Sequence, residues 1–208
     1  MSMKSNKQDN LSKGEKTRQD LIDVSCEMFL SRGFHATTTR EITEKLDLVP
    51  GALYNHFAGK TELFEAVLNT YHPWLHIPKA VQNAQGDSVE EFTRSATENL
   101  LAAWNEKPEL VRLHMVEVLE FNGQHIPALF EKTFSQIPEI IKEIQKENNR
   151  LGEINESLLY RAMLGLFFGY LMSDKSFVNK ENQYTEEGFD YFADIYLSGL
   201  FMRNSDQE

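Results

Sequence analysis

The sequence contains one cysteine, six prolines and no long apolar run. A single cysteine, Cys26, excludes an internal disulfide and a zinc site built from several cysteines, which fits a reducing compartment. The most apolar window, residues 158–172, contains Arg161 and is shorter than the roughly 20 residues that span a bilayer. The polar N-terminus lacks the apolar core of a signal peptide. We therefore expect a cytoplasmic protein without a membrane partner.

The chain also lacks an overall basic charge, since 21 Lys and Arg face 32 Asp and Glu for a net charge of −11. The acidic excess is unevenly spread. Residues 1–60 contain nine basic and eight acidic side chains, whereas residues 61–208 contain twelve and twenty-four. Any contact with nucleic acid must therefore depend on local cations and backbone donors within the first sixty residues.

Sequence patterns typical of common enzymes are missing as well. There is no glycine-rich phosphate loop, no Cys/His zinc spacing and no nucleophile elbow. No credible strand pattern and no repeat is present, so we predict an all-α chain of about nine helices. We expect no catalytic activity, no cofactor and no metal.

Capping signals and apolar periodicity divide the chain into helices. Ser12 and Glu15 form a capping box that opens a helix ending near Arg32, with Gly33 as its C-terminal cap. Between His72 and Asp87 the prolines and a glycine leave no clear helical period, which predicts a domain boundary. Beyond the short helices described next, helices are expected at 61–71, 88–104, 108–120, 127–148, 155–173 and 185–203.

Two short helices are predicted between Thr38 and Phe57. Thr38 and Glu41 form a capping box for the first helix. Pro50 suits the first turn of the second helix, where its missing N–H is not needed. Because Leu53 and Phe57 form the buried stripe of the second helix, its outer arc must carry small and polar residues: Gly51, Ala52 and Asn55, flanked by Tyr54 and His56. This layout is typical of a helix-turn-helix whose second helix enters the major groove of DNA.

These residues stand at the spacing of a known family. The pattern Thr-Thr-x-Arg-x-Ile, followed by Leu-Tyr-x-His-Phe-x-x-Lys-x-Glu-Leu-Phe, resembles the tetracycline-repressor (TetR) family of bacterial transcription regulators. The resemblance covers residues 17–64 without gaps. It implies a homodimeric, ligand-responsive regulator, usually a repressor, that binds a palindromic double-stranded operator and is released by a small-molecule inducer. Its predicted organisation is a disordered arm (1–11), a three-helix DNA-binding head with a lever helix (12–71), and a larger helical ligand-binding and dimerisation domain (72–208).

The resemblance also assigns roles within the head. Thr38, Tyr54, His56 and Lys60 match phosphate-contacting positions, and Arg40 matches a position that contacts bases. Arginine can bind guanine bidentately and asparagine can bind adenine in the same way, whereas small apolar side chains contact only a thymine methyl. The predicted DNA contacts are Thr38, Arg40, Gly51, Ala52, Tyr54, Asn55, His56 and Lys60.

Each of these side chains has an ordinary alternative. Tyr54 could be a half-buried core aromatic, His56 a solvated histidine, and Lys60 a surface lysine at a helix start. Arg40 could pair with Glu44 at i, i+4 spacing.

The head departs from the family at two positions. Asp47 stands where a turn glycine is usual, and Val49 replaces the usual hydroxyl cap. The alternative function is a dimeric ligand-binding or interaction protein of the same fold that no longer binds DNA.

The rest of the chain is rich in aromatic and methionine side chains, which suit an adaptable apolar cavity. By resemblance this region encloses an inducer pocket, with plain core as the alternative for each residue. His114-x-x-Glu117 is more typical of a surface or pocket pair than of a metal site. The predicted pocket residues are Trp104, His114, Met115, Phe134, Tyr160, Met163 and Phe167.

The helix predicted at 155–173 is apolar on two faces and must be covered on two sides. One cover is its own domain. The other is predicted to be a second copy of the chain, with a thicker monomer core as the alternative. The final helix has a similar pattern, and the predicted interface residues are Leu158, Ala162, Gly165, Gly169, Phe192, Tyr196 and Leu200.

Overall fold

The computed structural model describes residues 12–85 and 89–135, together with positions 139, 165, 169, 191 and 194. These residues form α-helices and short 3-10 helices without a strand, which confirms the all-α class. The described part contains seven α-helices: α1 (Lys13–Arg32), α2 (Thr39–Lys45), α3 (Lys60–Tyr71), α4 (Ile77–Gln82), α5 (Val89–Asn105), α6 (Val111–Phe121) and α7 (Ile126–Phe134). Three 3-10 helices lie between them: Pro50–Asn55, Pro73–His76 and Pro108–Leu110.

Two compact units divide the chain. The first combines the chain up to Leu75 with Lys107–Thr133, and the second combines His76–Glu106 with the chain from Phe134 onward. Helix α6 and most of α7 therefore pack with the helices of the predicted head. The functional division at residue 72 stays a prediction.

The capping interactions predicted for the two ends of α1 are confirmed. The Ser12 hydroxyl accepts a hydrogen bond from the Glu15 N–H at 3.3 Å, and the Glu15 carboxylate accepts one from the Ser12 N–H at 2.8 Å. At the other end of α1, Gly33 has a φ of 83°, and its N–H donates to the Phe29 carbonyl at 2.9 Å. Glycine suits this backbone because it pays no steric penalty at positive φ.

The core of the first unit joins α1, α2, α3, the 3-10 helix Pro50–Asn55 and α6. The four core residues expected from the sequence (Phe29, Ile42, Leu53 and Phe57) are all buried. An aromatic cluster extends this core toward α6, because the Phe64 and Phe121 rings stack with centroids 4.6 Å apart and Phe34 packs edge-on against Phe121. Such ring pairs add to the stabilisation from apolar burial.

In the second unit, α4 packs on α5. The Asn99 side-chain amide donates to the carbonyl of Ala80 at 3.3 Å, and the hydroxyl of Ser95 accepts from the N–H of Gln85 at 3.0 Å. The buried face of α5 includes Ala96, Leu100, Leu101 and Trp104.

The stretch between residues 72 and 87, where the sequence shows no clear helical period, contains two short helices. Pro73 begins a 3-10 helix and Pro78 lies in the first turn of α4. Proline is tolerated at helix starts, so prolines that interrupt a periodic pattern also occur where short helices begin. The single helix expected at 108–120 is also divided, into the 3-10 helix Pro108–Leu110 and α6.

Several predictions fall outside the described residues. They include the arm at 1–11 and most of the helices at 127–148 (beyond Ser135), 155–173 and 185–203, although positions 139, 165, 169, 191 and 194 are helical. The predicted residues Leu158, Tyr160, Ala162, Met163, Phe167, Phe192, Tyr196 and Leu200 also lie outside them. Within the described ranges, no helix has the length and apolar character needed to cross a bilayer.

Candidate nucleic-acid interface

Helix α2 begins at the predicted capping box. The Thr38 hydroxyl accepts a hydrogen bond from the Glu41 N–H at 3.2 Å, and the Glu41 carboxylate accepts from the Thr38 N–H at 2.9 Å. Hydrogen bonds from Thr38 and Arg32 lower the pKa of Glu41 to about 2, so the cap is ionised at neutral pH. The Thr38 hydroxyl also donates to this carboxylate at 2.7 Å. A phosphate contact from Thr38 would therefore compete with the cap.

A tight turn separates α2 from the next element. Asp47 has a φ of 55°, the left-handed geometry expected where the family usually has glycine. The N–H of Leu48 donates to the Thr43 carbonyl at 2.9 Å, which closes the end of α2. Val49 then has an extended backbone and makes no side-chain cap, as its residue type predicts.

The second short helix, Pro50–Asn55, is a 3-10 helix and is called the reading segment below. Its hydrogen bonds span three residues, from the N–H of Ala52 to the Val49 carbonyl and from the N–H of His56 to the Leu53 carbonyl, both at 2.9 Å. The segment is short, begins with a proline that has no N–H, and lacks a side-chain cap, so little favours a full α-helical turn.

The reading segment buries and exposes the residues that the apolar pattern indicated. Leu53 and Phe57 are buried, whereas the Tyr54 side chain lies at the surface and the residue is 60% exposed. This exposure excludes the alternative that Tyr54 is a core aromatic. The remaining predicted contacts on this face are fully or partly exposed: Gly51, Ala52, Asn55 and His56.

Arg40 forms the intrahelical ion pair with Glu44 that was considered as the alternative to a DNA contact. Its Nε donates to the Glu44 carboxylate at 2.7 Å, and the Arg40 side chain is 76% exposed. Exposed pairs of this kind stabilise a helix only slightly. In the described structure only Nε is paired, so the two terminal guanidinium nitrogens remain available to another acceptor.

Lys60 makes contacts within the protein that neither sequence interpretation included. Its ammonium group donates to the carbonyl oxygens of Phe34 and Thr37 at 2.8 and 2.7 Å, and lies 4.2 Å from the Phe34 ring centroid. Burial lowers its pKa. Two of the three ammonium hydrogens are thus used inside the head, and a phosphate contact through the third stays a prediction.

One cation beside the reading segment was missed by sequence reasoning. The guanidinium carbon of Arg18 lies 4.8 Å from the ring centroid of Phe57, two residues after the reading segment. By contrast, Arg32 and Lys45 are paired with Glu41 and Glu27 at 2.9 and 2.7 Å. The family pattern begins at Thr17 and Arg18, and this was the available signal for Arg18.

The predicted pocket residues are divided between the units. Trp104 and Phe134 are buried within the second unit, whereas His114 and Met115 are partly buried within the first. Nδ1 of His114 lies 3.2 Å from Nε2 of the buried His72. Their assignment to an inducer pocket stays a prediction.

The Glu117 carboxylate is bound by a second histidine. It accepts hydrogen bonds from the backbone N–H and Nδ1 of His125, both at 2.7 Å. Among the described residues there is no group of three or more His, Cys, Asp or Glu side chains that could hold a metal ion.

A cavity of about 450 Å³ lies in the first unit between α1, the end of α3 and residues 107–112. Its lining includes Cys26, Tyr71 and Lys107 and none of the predicted pocket residues. Burial raises the pKa of Cys26 to about 12, so this thiol is protonated at neutral pH. A protonated thiol is a poor nucleophile and a poor redox sensor.

Comparison with known proteins is consistent with this geometry. Residues 21–67 match the family described as bacterial regulatory proteins, tetR family. The transcriptional repressor KstR2 of Mycobacterium tuberculosis is 26% identical over 129 residues, which cover 62% of this chain and 61% of KstR2. The nucleoid occlusion factor SlmA of Vibrio vulnificus is 25% identical over 190 residues, covering 88% of this chain and 95% of SlmA.

Solved structures share the fold. A TetR-family transcription regulator from Marinobacter aquaeolei aligns with a TM-score of 0.66 at 17% identity, covering 88% of this chain and 94% of that chain. The KstR2 structure from M. tuberculosis aligns with a TM-score of 0.60 at 20% identity and the same coverage. At these identities the alignments support the fold alone.

Proposed function

Because the chain belongs to the TetR family of bacterial regulatory proteins, we propose that it is a ligand-responsive, DNA-binding regulator of transcription. In this proposal a cytoplasmic homodimer binds a palindromic operator, represses the adjacent gene and is released by a small-molecule inducer. The observation that carries the DNA-binding part is the 60% exposure of Tyr54 on a reading segment held between the capped helix α2 and α3. An exposed aromatic hydroxyl beside small residues suits close approach to a phosphate backbone.

The contacts divide into two classes. The first class contacts phosphate oxygens and supplies affinity without reading the DNA sequence. It consists of Thr38, Tyr54, His56 and the remaining ammonium hydrogen of Lys60. The terminal nitrogens of Arg40 bind a guanine, and Asn55 binds an adenine. Gly51 and Ala52 allow close approach of the backbone. Because few polar side chains reach the bases, part of the specificity comes from DNA shape and deformability.

The dimer places two reading segments on one face of a duplex. Two-fold symmetry with half-sites one helical turn apart requires a spacing of about 34–36 Å. Gly165 and Gly169 are helical and exposed in the single chain. Small exposed residues of this kind would be covered by the second copy in the dimer. A helix with such a stripe allows close helix–helix approach across a symmetric four-helix interface.

The inducer acts by differential binding. A ligand can shift the equilibrium only if it binds the DNA-free form better, by about 1–3 kcal/mol for ordinary coupling. In this proposal its pocket lies among the aromatic and methionine side chains of the predicted ligand-binding domain (72–208), and α3 is the lever that changes the spacing of the two DNA-binding heads. A ligand that binds tightly but leaves DNA affinity unchanged would contradict this part.

A gel-shift titration tests the function. Purified protein is mixed with duplex DNA from upstream of its own gene over a range of salt concentrations. The proposal expects a shifted band at low salt that weakens steeply as salt rises, because phosphate contacts release counterions. No shift at low salt would favour the alternative, a dimeric ligand-binding or interaction protein of the same fold that no longer binds DNA.

A further inference from the structure

A carboxylate on α6 holds the loop that joins α1 to α2. Glu120 accepts hydrogen bonds from the backbone N–H groups of Phe34 and His35 at 3.0 and 2.7 Å. Its second oxygen also lies 2.6 Å from Nδ1 of His35. Residues 33–37 are called the α1–α2 loop below. Glu120 and the loop are about 85 positions apart in sequence, so the contact is wholly tertiary.

Lys60 holds the same loop from its carbonyl side. Its ammonium group donates to the carbonyl oxygens of Phe34 and Thr37, as described above. The loop therefore lies between an anion that binds its N–H groups and a cation that binds its carbonyls. Hydrogen bonds to charged groups are shorter and stronger than neutral ones, so this arrangement restricts the orientation of the loop peptides.

The backbone is shaped to admit the carboxylate. Gly33 has a φ of 83°, and a Cβ placed on it would lie 2.7 Å from Oε1 of Glu120. Any other residue at this position would therefore meet both backbone strain and a clash with Glu120. The Thr37 hydroxyl closes the loop by donating to the Gly33 carbonyl at 2.9 Å.

The loop leads directly into the proposed DNA contacts. It is followed by Thr38, whose side chain and backbone form the cap of α2, and Arg40 lies in the first turn of that helix. A change in the direction of the loop peptides would therefore move the start of α2. An apolar contact could hold α6 to the core equally well, but it would not fix the direction of two adjacent N–H groups.

Helix α6 is also linked to α3, which follows the reading segment. His125, just beyond α6, binds the fully buried Glu117 through Nδ1 at 2.7 Å, and its Nε2 lies 3.3 Å from the Glu65 carboxylate on α3. The last turns of α6 and the residues that follow it therefore contact both the element before the reading segment and the one after it.

We propose that Glu120 is a positioning residue for DNA binding: it fixes the α1–α2 loop, and with it the start of α2, in the orientation that the duplex requires. Glu120 itself contacts no DNA. The inference rests on the proposed function, because it assigns a positioning residue to that same interface.

Two variants and one matched control test this role. Glu120→Gln removes the charge and replaces one acceptor oxygen by a donor NH2, which faces a loop N–H. Glu120→Asp keeps the charge but shortens the reach. Glu109→Gln makes the same charge change at an exposed carboxylate just before α6. For each protein, DNA affinity is measured against salt, thermal unfolding is recorded, and amide hydrogen exchange is followed at residues 34 and 35.

Both Glu120 variants are expected to weaken DNA binding by about tenfold or more, the loss typical of a charged hydrogen bond. The salt dependence of binding should be unchanged, because no phosphate contact is removed. Exchange at residues 34 and 35 should accelerate while exchange in the α1 core around Phe29 stays slow. Glu109→Gln should match the unsubstituted protein in every measurement.

The outcomes separate this inference from the proposed function. If both Glu120 variants bind DNA as tightly as Glu109→Gln, the positioning role is wrong although DNA binding stands. Unchanged exchange at residues 34 and 35 would overturn it as well. If exchange accelerates as expected but no protein binds DNA, the proposed function fails while the Glu120 contact with the loop stands. Equal acceleration of exchange throughout α1 would indicate general destabilisation and would also overturn the inference.

Discussion

The ammonium nitrogen of Lys60 lies 2.7 Å from the carbonyl oxygen of Thr37, so the first residue of α3 is joined to the residue just before the cap of α2. By its resemblance to the family position, Lys60 is predicted to contact DNA phosphate. Its geometry indicates in addition a structural role, because the same ammonium also binds the Phe34 carbonyl.

Lys60→Met should therefore destabilise the protein even without DNA. It leaves two carbonyls without their charged donor, and we expect the free energy of unfolding to fall by about 1–2 kcal/mol, since Lys60 is only partly buried. Urea unfolding measures this change. Lys16→Met, at an exposed position of α1, is the control and should stay within about 0.5 kcal/mol. Equal stability of the two variants would show that Lys60 has no structural role.

Two tyrosines give a matched test of the interface. Tyr54→Phe removes an exposed hydroxyl, and we expect DNA affinity to fall about tenfold with unchanged stability, as for one hydrogen bond to a charged phosphate. Tyr71→Phe removes a hydroxyl that donates to the Asp23 carboxylate at 2.5 Å within the first unit. That variant should lose stability and keep its DNA affinity. Fluorescence anisotropy with a labelled operator and thermal unfolding measure the two quantities; the reverse pattern would contradict the assignment of Tyr54.

Val49 provides a test of base contact. It is 73% exposed, an unusual position for a valine, and it directly precedes the reading segment. We expect it to pack against a thymine methyl in the major groove. Replacing half-site thymines by deoxyuridine should then weaken binding about fourfold, the effect of burying one methyl group. Val49→Ala should bind both duplexes equally. A loss of the same size in Val49→Ala would rule out contact between Val49 and that methyl.

His72 should make stability depend on pH. It is buried, its Nδ1 accepts from the Trp74 N–H, and its Nε2 faces Nδ1 of His114. Burial, with a smaller contribution from His114, lowers its pKa from 6.5 to about 3. As pH falls below 6.5, the unfolded chain gains a proton that the folded chain does not, so stability is lost on acidification.

Between pH 7 and pH 5 this loss is about 2 kcal/mol for one such group. His72→Gln, which keeps a polar group but does not titrate, should lose that much less stability over the same interval. Urea unfolding at the two pH values provides the comparison. Identical losses in the two proteins would show that His72 is not the responsible group.

Local sequence signals predicted the structure of the DNA-binding head well. The capping boxes at Ser12 and Thr38, the glycine cap at Gly33 and the left-handed Asp47 are each decided by a few neighbouring residues, so the sequence was sufficient to locate them. The burial of Leu53 and the exposure of Tyr54 follow from helical spacing in the same way, even though the reading segment is a 3-10 helix.

Tertiary contacts were not predictable from those signals. Nothing in the sequence near Glu120 indicates that it binds the backbone of residues 34 and 35, because a carboxylate has no local preference for a distant loop. The backbone contacts of Lys60 were missed for a related reason: an exposed lysine and a lysine turned toward backbone carbonyls have the same sequence pattern. Helix α4 was missed because Pro78 marks a helix start as readily as a break.

The central claim is that a dimer binds DNA through two copies of residues 38–60. Selection from a library of random duplexes is its most direct test. The protein is incubated with the library at low salt, and the bound DNA is recovered and sequenced. The proposal predicts an enriched palindrome whose half-sites are about 10 base pairs apart, centre to centre. Recovery of sequences no different from the starting library, by a protein that is folded and dimeric, would contradict it.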